Sequence, residues 1–116
     1  MKPFQASAAY ATDLQLAYDY FKLGGPRAAE RFWERYERAW ASIRAQPESC
    51  RLRLSGWRQK AVPQSSYAIF YRETPAFWFL GGVLSTVQDP DLLQARLLIR
   101  EVGAGDLGTS QRGDPR

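Results

Sequence analysis

The side chains best suited to anion chemistry are gathered between Glu48 and Glu73. Arg51, Arg53, Arg58, Lys60 and Arg72 fall in that interval with no acid among them. Such a run can neutralise a phosphodiester backbone, hold an acidic protein, or stabilise charge that develops during substrate-assisted phosphodiester cleavage. The plain alternative is a solvated sheet face on which Arg and Lys stems cover apolar surface. The rest of the chemistry is set by what is missing. With no histidine there is no Ser-His-Asp triad, no Cys-His pair and no imidazole acid or base. Cys50 is the single cysteine, which rules out a disulfide within the chain and a zinc site of nitrogen and sulfur ligands. Cys50 precedes Arg51, whose charge could favour a thiolate, but a lone cysteine at a loop-to-strand junction reads as a packing residue. Asp13 and Asp19 diverge on one helix and do not read as a carboxylate pair. Neither Gly24-Gly25 nor Gly81-Gly82 has the strand-to-helix context of a nucleotide fingerprint. No metal or cofactor is expected.

The elements that must position these cations follow from periodicity. Residues 3–9 read as a short strand or extended arm. Tyr10, Leu14, Ala17, Tyr18 and Phe21 recur at helical spacing and predict a helix over 12–23, with Leu16 and Tyr20 on its opposite side. A helix apolar on two faces is either sandwiched or offers the second face to a partner. Gly24-Gly25 stops it, and Pro26 opens a second helix to Ala45 with Phe32, Tyr36, Ala39 and Ile43 as its core stripe. Its outer face alternates Glu and Arg, with Glu34 and Arg38 spaced for an i, i+4 pair. Trp33 and Trp40 flank the stripe. The short link makes an antiparallel helical hairpin.

The period then changes from 3.6 to 2. Residues 51–62, 66–72 and 77–88 predict an antiparallel meander, with Ser55-Gly56 a bulge or bend in the first strand and Gly81-Gly82 an interruption in the last. Parity places Arg58 and Lys60 on one face of their strand. One sheet face must bury against the helices, which leaves the other to hold cations and aromatics in the open. Asp89 reads as the N-cap of a short leucine-rich helix over 91–101. Residues 103–116 are nearly devoid of apolar groups and read as a disordered tail. The expectation is a single α+β domain over residues 1–102: an N-terminal strand or arm, a helical hairpin on a three- to four-stranded antiparallel sheet, and a short C-terminal helix.

At 116 residues, 45% of them apolar, the chain can bury a core without staples. Sixteen basic against twelve acidic residues leave a net charge of +4, a mild bias that lies in the sheet segments. The N-terminal residues do not read as a signal peptide, and no run approaches a membrane span. A soluble cytoplasmic protein is expected, with no membrane partner.

On this plan sit particular words: Ala11-x-Asp13-Leu14 opening the first helix and Pro47 closing the second. Gly56-Trp57-Arg58 and Tyr67-Ala68-Ile69-Phe70-Tyr71-Arg72 follow on the meander, then Val83-Leu84 and Asp89-Pro90. Over residues 3–101 the chain resembles the RelE/ParE superfamily of bacterial type II toxins. The resemblance implies a toxin neutralised by a cognate antitoxin that wraps it with a helical or extended segment. RelE-like members cleave messenger RNA on the ribosome with basic sheet residues, which here would be Arg58, Lys60 and Arg72. ParE-like members poison DNA gyrase. Ser85 stands where ParE-like members often carry a His, and Gln88 where they carry an Arg. The Asp-Pro step and the leucine-rich helix look closer to ParE. The resemblance thus implies a ParE-like toxin that acts by binding, with Arg51, Arg53, Arg58, Lys60, Arg72 and Gln88 as its target-facing set. A RelE-like ribonuclease and a degenerate, non-toxic member that only binds a partner are the alternatives. The antitoxin is expected over Trp33 and Trp40, or over Leu16 and Tyr20.

Overall fold

The computed structural model describes the backbone of residues 2–110 and the side chains of residues 2–101. Strand β1 spans Phe4–Ala6, and helices α1 and α2 span Tyr10–Lys22 and Pro26–Ala45. A single 3-10 turn at Pro47–Ser49 leads into strands β2 (Leu52–Leu54), β3 (Trp57–Ala61), β4 (Tyr67–Glu73) and β5 (Trp78–Ser85). Helix α3 then runs Pro90–Ser110. It carries helical backbone into the segment read as a tail, and residues 111–116 lie outside the described residues. Asp89 caps α3 as expected, its carboxylate accepting from the Asp91 amide at 2.8 Å.

The five strands form one sheet in the order β1-β5-β4-β3-β2. The α+β plan matches expectation, with two additions. The N-terminal arm is a true strand, paired parallel to β5 through Phe4, Gln5 and Ala6. The segment 51–62 is two strands rather than one bent strand. Ser55 and Gly56 both have positive φ, 45° and 89°, the backbone of a tight hairpin turn that only a residue like glycine enters freely at the second position.

The sheet buries both faces. Ile69, Tyr71, Val83 and Leu80 pack under the helical hairpin against Ala17, Phe32, Tyr36 and Ile43. Ala68, Phe70, Phe79 and Leu84 pack with Trp57 against Leu93 and Leu97 of α3. The expectation of one open face is therefore corrected. The leucines of α3 are what close that side, and the run Tyr67–Arg72 is apolar at both parities because both are covered. Gly81 does not interrupt β5. It is a bulge: Phe70 pairs with Gly82 and Tyr71 with Leu80. A Cβ at Gly81 would lie 2.5 Å from the Trp57 ring, so glycine lets that indole reach the core.

Two polar contacts sit inside this packing. Asp13 of α1, only 7% exposed, takes both arms of the Arg100 guanidinium of α3, at 2.5 and 3.0 Å. The same carboxylate accepts the Val83 amide at 3.1 Å, and Arg100 donates to the Gly81 carbonyl at 3.3 Å. Deeper under the hairpin, the Tyr10 and Tyr36 hydroxyls meet at 2.8 Å. Burial pushes the ionisation of both phenols up from the ordinary value, and their mutual contact raises Tyr10 further.

Replacing Arg100 by Ala strands a buried carboxylate, and the expected loss is about 3–5 kcal/mol in urea unfolding. Stability should also fall in alkali. Near pH 10 the unfolded chain loses its tyrosine protons while folded Tyr10 and Tyr36 keep theirs. Their contribution is complete below that pH and declines above it. Urea midpoints taken between about pH 8 and pH 11 should drop, and Tyr10→Phe should make the drop shallower.

Candidate functional site

The predicted cations separate once the sheet is assembled. Arg58 and Lys60 share a face, as parity required, but Arg58 pairs with Tyr71 and Lys60 with Ile69, so that face lies under the helical hairpin. Arg72 points to the opposite face. There it is ion-paired to Glu101 of α3 at 2.9 Å and lies over the Trp57 ring at 5.4 Å. A single basic stripe is thus not formed: adjacent strands place the two sets on opposite sides of the sheet.

Arg58 is occupied by the fold. One guanidinium nitrogen donates to the carbonyls of Glu48 and Cys50, at 3.2 and 2.6 Å. Its charge lies 5.7 Å from the centre of the Trp78 ring. The Tyr71 hydroxyl donates to the Pro47 carbonyl at 2.7 Å. Arg58 and Tyr71 together anchor the turn that joins α2 to the sheet. Burial pushes the Tyr71 phenol up from its ordinary ionisation, the Cys50 thiol adds to the rise, and the Arg58 charge opposes it.

Arg51 and Arg53 remain exposed at the β2 edge, and Lys60 is half-buried; no hydrogen bond or ion pair among the described residues engages these three. Gln88 donates to the Ser85 carbonyl at 2.8 Å, and the Ser85 hydroxyl lies 3.1 Å from that of Ser66. These contacts form a neutral polar corner at the end of β5. Ser66, Ser85 and Gln88 themselves bring no acid, base or cation to it.

The expected partner residues also divide. Trp40 packs edge-on against Phe4 at 5.1 Å with Arg44 over its ring, so it fastens β1 to α2. Trp33 is 37% exposed and lies edge-on to Tyr18 at 6.3 Å across the hairpin. Leu16 and Tyr20 are open on the other side of α1, at 62% and 60% exposure, with the Tyr20 ring near Tyr67. Sequence reasoning missed the feature beside Trp33: a groove of about 790 Å³ between α1 and α2. Leu14 and Tyr18 belong to the predicted apolar stripe of α1 and Trp33 to the flank of the α2 stripe, while Glu30, Glu34 and Glu37 belong to the predicted charged outer face of α2, so spacing alone does not bring the two sets together. The expected Glu34–Arg38 pair does not form among the described residues.

The described helices contain no segment long and apolar enough to cross a membrane. No group of acids and cysteine suited to a metal ion occurs among the described residues. The described surface carries exposed arginines at one sheet edge and exposed apolar side chains on the helices. A family model described as the ParE toxin of the type II toxin-antitoxin system, parDE, matches residues 5–90. The chain belongs to this toxin family. No curated protein matches it. The matched span starts in β1 and ends at the first residue of α3, so it contains the hairpin and the whole meander. This toxin is therefore the toxin component of a type II toxin-antitoxin system, and toxins of the family pair with an antitoxin.

Arg58→Ala should act on folding before function. Losing its two carbonyl contacts should lower stability by about 1.5–3 kcal/mol. Arg51→Ala and Arg53→Ala should stay within about 0.5 kcal/mol of the parent chain. Urea denaturation of the three variants separates the structural arginine from the free ones.

Proposed function

We propose that this toxin acts by binding a cellular target rather than by cutting RNA, with DNA gyrase the target that the family resemblance implies. A cytoplasmic site of action goes with that target. The observation that carries the reading is the division of the cations. Phosphodiester cleavage without histidine would need Arg58, Lys60 and Arg72 to converge on one phosphate, so that their charges stabilise the developing oxyanion together. Arg58 and Lys60 lie on one side of the sheet and Arg72 on the other. Two of the three are already held, by backbone carbonyls and by Glu101. Ser85 and Gln88 add hydrogen-bonding groups but no proton shuttle at neutral pH. Arg51, Arg53, Lys60 and Gln88 are then the contacts left for a target. A cognate antitoxin neutralises the toxin over the helical hairpin, where Leu16, Tyr20 and Trp33 leave apolar surface open.

Purified protein added in excess to a gyrase supercoiling assay should suppress supercoiling, and Arg51→Ala with Arg53→Ala should weaken that effect. Undiminished supercoiling would remove gyrase as the target. Codon-dependent cuts in messenger RNA after induction would replace this reading with the ribonuclease one. Growth unaffected by expression without antitoxin would mark a chain that has kept its partner and lost its poison.

A further inference from the structure

Helix α3 turns only part of its apolar surface to the sheet. Leu93 and Leu97 are buried with Trp57, Phe70 and Phe79. Leu92, Leu98 and Ile99 stay in the open, at 49%, 57% and 70% exposure, and Ala95 among them is exposed as well. Large aliphatic groups side by side on one helix form a contiguous patch rather than scattered apolar exposure. Leu92, Ala95 and Ile99 follow one another at steps of three and four residues, the a-d-a spacing of a two-stranded coiled-coil seam.

The charges beside this seam say what it fits. Arg100 is taken by Asp13 and Glu101 by Arg72. Asp91 and Arg96 are exposed and make no ion pair among the described residues. They cannot serve each other, because they lie five positions apart and neighbours on a helix surface are three or four apart. With Leu92 and Ile99 at a and Ala95 at d, Asp91 falls at g and Arg96 at e, on opposite flanks of the seam. In a parallel helix pair, a g residue of one chain stands beside the e residue five positions on in the other. A second α3 laid parallel to the first therefore matches Asp91 with Arg96 on both sides. It also sets Leu92 on Leu92 and Ile99 on Ile99. An antiparallel copy sets g against g and e against e, and neither charge meets its complement.

We infer that two copies of this toxin pair through α3, with the helices parallel, Leu92, Ala95 and Ile99 in the seam and Asp91 against Arg96 across it. Helix α3 and the helical hairpin cover opposite faces of the sheet, so the pairing leaves α1 and α2 uncovered. The seam covers about 10 Å of helix, and the surface it closes falls short of the roughly 800 Å² per partner of a standard interface. The dimer is therefore a weak one, with a Kd of about 10 μM.

Sedimentation equilibrium of the full-length toxin without antitoxin, over about 1 to 200 μM, tests this. The average mass should climb from one chain toward two. Ile99→Asp puts a charge into the seam at an exposed position and should weaken pairing about 30-fold while thermal unfolding stays unchanged. Asp91→Arg alone and Arg96→Asp alone set like charges across the seam and should each weaken pairing about tenfold. The two together reverse the pair and should restore it. In a Cys50→Ser background, Leu92→Cys should form a disulfide-linked dimer with a mild oxidant, because the parallel arrangement sets residue 92 against its own copy. A chain that stays monomeric at the top of the concentration range would overturn the inference. So would a dimer that Ile99→Asp leaves intact, since its contact would lie elsewhere. A charge reversal that fails to restore pairing, or a dimer that does not cross-link at residue 92, would overturn the parallel arrangement. Should Ile99→Asp fail to fold, the charge reversal, confined to exposed side chains, decides the matter alone.

Discussion

Strand β5 runs on beyond the end of β1, and its open edge there exposes a carbonyl at Gly81 and an amide at Val83 in a region the helices must bury. A bare backbone group in such a place costs roughly as much as a lost hydrogen bond. The fold answers with side chains. Asp13 accepts the Val83 amide, Ser7 and Arg100 donate to the Gly81 carbonyl, and Asp13 and Arg100 then satisfy each other. Because Asp13 belongs to α1 and Arg100 to α3, the same contact joins the two helical layers around the sheet edge. Gly82 is small enough to leave the pair its space. A buried ion pair of this kind adds little net stability compared with an apolar filling, but it fixes which parts may meet. Here it sets the position of α3, which covers the second face of the sheet and brings Glu101 to Arg72.

Once α3 is in place, the basic segment changes meaning. Covering both faces leaves no room for an open cationic surface in the middle of the sheet. Arg58 turns inward to hold the turn after α2, and Arg72 is drawn to α3. What stays exposed lies at the margins: Arg51 and Arg53 at the β2 edge, and Leu16 and Tyr20 on the hairpin. β2 is short, shifted in register against β3 and charged, features that also discourage unspecific strand pairing at an open edge. The centre of the sheet is committed to packing.

Much of this was legible in the order of residues. The 3.6-residue stripes marked both helices, Gly24-Gly25-Pro26 marked their junction, and the alternation after Pro47 marked the meander. The shared face of Arg58 and Lys60 followed from parity and held. Three things were not legible. The hairpin turn at Ser55-Gly56 looks like a bend until both residues are seen at positive φ. The outward Glu and Arg residues of α2 look mutually paired until side-chain directions leave Glu30, Glu34 and Glu37 beside a groove. Asp13 looks like an ordinary acid in a first helical turn, although its place within the apolar stripe of Tyr10, Leu14 and Ala17 was a clue that it is buried with a partner.

The sequence by itself determined most of the elements, the family and the chemistry that is impossible, because these depend on composition, local period and contiguous words. A chain without histidine has no imidazole however it folds. The tertiary structure alone decided which cations are free, which face of each strand is wet and what Asp13 touches. Asp13 meets Val83 and Arg100, 70 and 87 positions on, and Arg72 meets Glu101, 29 positions on. Local spacing carries no information about such distant pairings until the sheet and α3 have closed around them.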